Sequence, residues 1–238
     1  MSSESAGSEQ LQPIPFLVIF NSINKLFYMV ENTIDNTKTV YQRRIEGRSF
    51  FRYLVGLTVR WLNHKKYQRA RRIARKNGAI VSDTAVFPVS LAKKLNANCY
   101  IGNHVTIQTD NIDTRSPLRI GNNVIIGQDV RILTASHNID SPEWDFKTYG
   151  LEIEDYVWIA TGATILPSCQ KLAYGSVVGG ASLCYKNTET MDVVCGNPAV
   201  FLKKRKCVHS KLVVESLLGG DYAIYRETWK KRNIKGSC

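Results

Sequence analysis

The sequence predicts a mainly β protein, built as a solenoid with helices before it and a short helical tail after it. Three observations carry this. A bulky aliphatic returns at every sixth residue: Ile120, Ile126 and Ile132, then Ile153, Ile159 and Ile165, then, after one added residue, Leu172, Val178 and Cys184 in the last place. Gly or Ala often follows it (Gly121, Gly127, Ala160, Gly179), and a small residue or Val stands four places on (Val124, Val130, Ala163, Ser176, Ser182). Finally, six is neither the 3.6 of an α-helix nor the plain two of a half-buried strand. It fits a flat-sided coil with one aliphatic pointing inward per side, small residues at the corners, and stacked neighbours that bury what one coil cannot.

Residues 1–12 are polar and read as disordered. Residues 13–77 form an N-terminal helical region. From Pro13 to Ile34, Phe16, Ile19, Phe20, Ile23, Phe27 and Val30 recur at threes and fours, which predicts an amphipathic helix. Asn21, Asn24 and Lys25 make it too polar for a membrane span, so it packs on the solenoid or lies on a membrane or subunit surface. Asn32–Thr39 is a polar break. Ser49–Lys76 reads as a second helix with Phe50, Tyr53, Leu54, Leu57 and Trp61 on one side. Its half from Arg60 to Lys76 is strongly basic, either a solvated face or an anchor for an anionic membrane surface or lipid-linked glycan. No nucleic-acid motif or aromatic platform accompanies the charge.

Gly78 ends this helix. The solenoid, residues 78–206, starts at Ile80 and Val86, slips register at Leu91–Leu95 and resumes at Ile101 and Ile107. Asp110–Pro117 and Asn138–Gly150 are excursions, and solenoid insertions gather near functional surfaces. Residues 207–238 leave the repeat, with one helix expected over Leu212–Trp229 and a loose end from Lys230.

Of 238 residues, 32 are Lys or Arg and 20 are Asp or Glu, a net charge of +12 that suits anionic surroundings such as phosphate-bearing ligands, acidic glycans or lipid. Six cysteines show no C-x-x-C spacing, and Cys169 and Cys184 fall inside the repeat as small core residues. The expectation is reduced thiols and a cytoplasmic protein, peripheral at the inner face of the membrane if the basic helix anchors it. No secretory signal opens the sequence.

His137 ends a hexad and opens an excursion, so its ring should stand on the outer surface. An imidazole titrates near about 6.5, close to working pH, and so suits general-base work. Asp110 or Asp113, or a backbone carbonyl that leaves no sequence signature, could orient it. Asn138, Asp110 and Asp113 are candidates on the substrate side.

The runs Thr134-Ala-Ser-His137, Val157-Trp-Ile-Ala-Thr161-Gly-Ala-Thr-Ile-Leu-Pro167, Val178-Gly-Gly-Ala-Ser-Leu and Cys195-Gly-Asn-Pro-Ala199, the last followed by Lys203-Lys-Arg, carry a resemblance. Over about residues 78–206 the chain resembles the hexapeptide-repeat acyltransferases with a left-handed parallel β-helix, above all the maltose, galactoside and exopolysaccharide O-acetyltransferases. The left hand comes from that resemblance, since packing alone favours right-handed crossovers. The resemblance implies acetyl-CoA as co-substrate, no metal, and transfer to a sugar hydroxyl in polysaccharide biosynthesis with His137 as base. It implies that Trp158 lines the slot for the pantetheine arm, that Thr161, Gly179 and Gly180 let the arm lie along the solenoid, and that Lys186 lies near the nucleotide phosphates; Lys203, Lys204 and Arg205 could meet them too or form a solvated basic face. It also implies a homotrimer with sites between subunits.

Pro167-Ser-Cys169 and Cys184-Tyr185-Lys186 depart from the family's usual Pro-Gly-Val and Val-Thr-Lys. The rival readings are N-acetylation of an amino sugar, acetylation of a xenobiotic, and a non-catalytic interaction module. A zinc enzyme would need three converging histidines. Only His104 and His137 lie in the solenoid, with His64 and His209 outside it.

Overall fold

The computed structural model describes residues 38–235, with side chains to 231. The expected disordered stretch 1–12 and the expected helix Pro13–Ile34 lie outside the described residues.

The chain visits three sheets in turn. The first holds Ile80–Val81, Cys99–Ile101, Leu118–Ile120, Leu151–Ile153 and Lys171–Leu172. Thr106–Ile107, Ile125–Ile126, Trp158–Ile159, Val177–Val178 and Asp192–Cys195 make the second, and Arg131–Ile132, Thr164–Ile165 and Leu183–Cys184 the third. Neighbours pair in parallel, Leu118 beside Leu151 and Trp158 between Ile125 and Val177, for example. Within these three sheets the closing strand Val200–Lys204 runs antiparallel, against Asp192–Cys195. This alternation is what the period of six requires. The aliphatics Ile120, Ile126, Ile132, Ile153, Ile159, Ile165, Leu172 and Val178 are all fully buried, and Cys184 nearly so. The small positions Val124, Val130, Ala163, Ser176 and Ser182 are buried with them.

Corners stack as columns. His104, Asn123, Tyr156 and Gly175 follow one another between the first and second sheets, all with positive φ. Asp129, Gly162 and Ala181 do the same between the second and third. Circuits approach so closely there that a Cβ on Gly127 would stand 2.7 Å from the backbone nitrogen of Thr161. The register slip near Leu91 is a short helical turn, Val89–Ala92. The excursion Asp110–Pro117 still turns one aliphatic inward, since Ile112 is buried and bridges to Ile132.

Before the strands come two helices, α1 (Val40–Glu46) and α2 (Phe50–Lys76). The sequence reading had no helix at α1. Ser49 caps α2, its hydroxyl accepting from the Arg52 amide. The helix ends where expected: Gly78 N–H reaches the Arg75 carbonyl and Ala79 N–H the Ala74 carbonyl, with Gly78 at φ 94°. Ala70 and Ala74 join the core of the strands. Tyr53, at the other end, stacks at 4.1 Å on Trp229 and packs with Tyr41, Ile45 and Tyr225 in a second small core.

The tail corrects the expectation of one helix over Leu212–Trp229. A 3-10 turn covers Val214–Leu218, Gly219 breaks it at φ 64°, and a helix α3 of Tyr222–Lys235 follows. The glycine pair Gly219-Gly220 interrupts the apolar period, and helix continues through Lys230, which had been read as loose. Buried Asp221 ties α3 down, accepting from Tyr41 Oη at 2.5 Å and Arg60 Nε at 2.9 Å.

Between strands and α3, residues 205–215 run back along the first column of corners as a strap. Arg205 donates to the carbonyls of Tyr156 and Gly175. His209 Nε2 meets the Asn123 carbonyl at 2.7 Å, and Glu215 meets His104 Nδ1 at 2.6 Å. Each contact sits one circuit or more further back, so the tail staples the stack from its last turns to its first.

Candidate active site

The third sheet's Arg131–Ile132 leads into Ala135–His137, which pairs antiparallel with Phe146–Thr148. The excursion is therefore a hairpin that lifts His137 clear of the core. His137 is exposed, as its place in the hexad predicts. Its Nδ1 lies 2.8 Å from the Trp144 carbonyl oxygen. A carbonyl can only accept, so Nδ1 carries the proton and Nε2 keeps its lone pair. The Trp144 indole stacks on the imidazole at 5.2 Å and Phe146 meets it edge-on at 5.7 Å. Asn138, half-buried, shapes the hairpin, its amide donating to Asp145 and its side chain accepting from Asp140 N–H.

The orienting group is thus the backbone carbonyl, and the expected carboxylate is placed otherwise. Asp113 makes a two-pronged pair with Arg115, at 2.9 and 3.0 Å, and accepts from the Thr134 amide. Those contacts hold its carboxyl below the usual range although burial opposes them. Arg115 in turn lies 5.0 Å from the centre of Phe146. Asp113 therefore reaches His137 indirectly, through Arg115 and Phe146. Asp110 lies in the same lower loop, and its backbone carbonyl accepts from Lys94. Neither Trp144 nor Phe146 was named for the site from sequence; their recurrence beside a histidine in an otherwise polar loop was the available signal.

The residues expected to meet the cofactor lie elsewhere on the stack. Trp158 is 44% exposed on the outer side of the second sheet, while Ile125 and Val177 on either side are only 8% exposed. Thr161 follows at the corner leading to the third sheet, and Ala181 N–H donates to its carbonyl. Gly180 stands directly above, its missing Cβ only 3.4 Å from that same oxygen. Thr161, Gly179 and Gly180 thus share one column of corners. Lys186 is exposed, with its ammonium 5.1 Å from the Tyr185 ring centre. Along the chain, Thr161 precedes a strand of the third sheet, whereas Lys186, like His137, follows one.

Two expected phosphate ligands are already engaged. Lys204 pairs with Asp192 at 2.8 Å and Glu189 at 3.2 Å, and Arg205 belongs to the strap. Lys203 remains exposed. The basic run of α2 is also divided. Arg60 is paired with Asp221, Arg71 donates to the Ala85 carbonyl, and Arg75 to Val81 and Asp83. Among the described residues no helix is long and apolar enough to cross a membrane.

A histidine with one nitrogen held and the other bare, on a stack of short parallel strands, defines a site able to take a proton from an attacking hydroxyl. The chain is similar to named acetyltransferases. The chain is 25% identical over 205 residues to a putative acetyltransferase of Schizosaccharomyces pombe, covering 74% of this chain and 94% of that one. It is 25% identical over 146 residues to the putative colanic acid biosynthesis acetyltransferase WcaF of Escherichia coli, covering 61% and 80%. A hexapeptide-repeat acetyltransferase of Vibrio cholerae, solved with acetyl coenzyme A, aligns with a TM-score of 0.47 at 23% identity over 60% of this chain and 88% of that one. No family model matches. The sequence relatives bear out the resemblance to acetyltransferases and the reading of this chain as an acyltransferase.

Proposed function

We propose that the chain is an acetyl-CoA-dependent O-acetyltransferase of a sugar hydroxyl, on a left-handed β-helix, working in exopolysaccharide, capsule or lipopolysaccharide biosynthesis. The observation that carries the reading is the bond from His137 Nδ1 to the Trp144 carbonyl. It fixes the tautomer whose Nε2 can act as base. The acceptor O–H gives its proton to Nε2 as the oxygen attacks the thioester carbonyl carbon. The C–S bond of the resulting tetrahedral adduct then breaks, and the imidazolium returns the proton to the departing thiolate. The products are an acetyl ester and free coenzyme A. General-base assistance of this kind contributes about a hundred- to ten-thousandfold.

Trp158 and the Thr161–Gly180 column are the proposed bed for the pantetheine arm, and Lys186 and Lys203 the proposed phosphate contacts. Asn138, Asp110 and Asp113 border the acceptor side. The proposed assembly is a homotrimer, in which a neighbouring copy would complete the site. The exposed Val200, Phe201 and Leu202 of the closing strand are apolar surface that such an assembly would cover. The name of the Escherichia coli relative supports a polysaccharide acceptor.

The test is thiol release from acetyl-CoA over a panel of sugars, amino sugars and lipid-linked glycans. Release that depends on a hydroxyl acceptor supports the proposal. Release only with an amine would make the enzyme an N-acetyltransferase, and absence of both release and acetyl-CoA binding would overturn the catalytic reading.

A further inference from the structure

Helix α2 has two unlike faces. Tyr53, Gly56, Tyr67, Ala70 and Ala74 point inward and are buried. The opposite side begins with Phe51, Leu54, Val55, Val59 and Leu62, at spacings of one helical turn, and all are exposed, Phe51 by 80% and Val55 by 65%. Trp61 borders them, 46% exposed, with the Lys65 ammonium 5.8 Å from its ring. On the same side the helix continues with Lys65, Lys66, Arg69 and Arg72, all exposed. Arg60, Arg71 and Arg75 are bonded within the fold, whereas Lys66 only borders the Tyr67 ring, at 5.8 Å, and Arg72 lines an open cleft with His64 and Asp83. The helix contains no acidic residue; none occurs between Glu46 and Asp83.

We infer that this outer face of α2 docks on an anionic lipid bilayer, with Phe51–Leu62 entering the interface and Lys65–Arg72 meeting the headgroups. Charge selects this occupant. Interfacial helices combine an apolar row carrying Phe, Trp or Leu with Lys and Arg that reach phosphate. A second copy of the same face would bring cations against cations or against apolar side chains. Arg44 and Arg52, which line the cleft beside Phe51 and Val55, add cations at the apolar end too. The inference is independent of the proposed chemistry, and it moves the anchoring surface from the whole Arg60–Lys76 run to one side of the helix.

Full-length protein would be sedimented with phosphatidylcholine vesicles and with vesicles one-third phosphatidylglycerol. Binding to the anionic vesicles alone is expected, weakening as salt rises. Phe51→Ser with Leu62→Ser, and separately Lys65→Gln with Arg69→Gln, should each weaken it by about tenfold or more. These side chains are exposed, so thermal unfolding should match the wild type. No binding, equal binding to neutral vesicles, or binding unchanged in both variants would overturn the inference. Dissociation of the native oligomer by Phe51→Ser/Leu62→Ser in light scattering, without vesicle binding by wild type, would show that the face is a subunit contact instead.

Discussion

His137 and His209 are both held by a backbone carbonyl, and the rest of their surroundings treats the second ring nitrogen in opposite ways. In the hairpin, the Trp144 carbonyl accepts a hydrogen bond from Nδ1–H of an exposed ring, and Nε2 stays open. In the strap, the Asn123 carbonyl accepts a hydrogen bond from Nε2–H of a half-buried ring, and Nδ1 accepts from Arg205 at 2.9 Å. One histidine keeps a bare nitrogen, the one the proposed chemistry would use. The other spends both nitrogens on structure. Nothing in the residue type separates them; the difference lies in what faces the second nitrogen.

The sharpest way to break this comparison is to remove each ring. His137→Ala should cut acetyl transfer by roughly a hundredfold or more and leave the melting temperature nearly unchanged, as expected of an exposed side chain. His209→Ala should do the reverse. Losing two hydrogen bonds and leaving the Asn123 carbonyl and Arg205 underserved should cost about 1–3 kcal/mol of unfolding free energy, measured in urea, with turnover per folded molecule retained.

Acid should test the strap next. Burial, and secondarily the nearby Arg205 guanidinium, holds the His209 pKa below the ordinary histidine value. The unfolded ring protonates near about 6.5, so its stabilising contribution is complete above that pH. It is lost as pH falls from there through the folded pKa, because the unfolded chain then binds more protons. His209→Gln should flatten that part of the stability–pH curve.

A smaller effect is expected from Trp144→Ala. The carbonyl that fixes His137 belongs to the backbone and survives, and only the stacked ring goes. A stacking contribution of about 0.5–1.5 kcal/mol implies a two- to tenfold slower turnover. Smallest should be Arg115→Ala, which frees Asp113 and uncovers Phe146 one step further from the imidazole. Its effect should fall on kcat more than on KM if Arg115 acts through the position of the ring.

Much of the stack was legible because its constraint is local and repeated. Each inward aliphatic meets the same geometry six residues on, so Ile120 through Val178 announced themselves. Ser49, Gly78 and the α2 period were legible for a similar reason, since caps act within one turn. The strap was not, because Arg205, His209 and Glu215 bind partners 30 to 111 residues away, mostly carbonyls. The same explains His137: its place at the end of a hexad marked it, but the Trp144 carbonyl that orients it is backbone and has no residue code. Asp113 looked suited to the task, yet Arg115, two residues on, claims it first.

The most direct test is the tautomer of His137 itself, read from one- and two-bond 1H–15N couplings in protein labelled at histidine and assigned with His137→Gln. The neutral ring should carry its proton on Nδ1, with Nε2 showing the shift of a bare nitrogen. A proton found on Nε2 in the free enzyme would contradict the account, since the nitrogen facing the acceptor would then have no lone pair to offer.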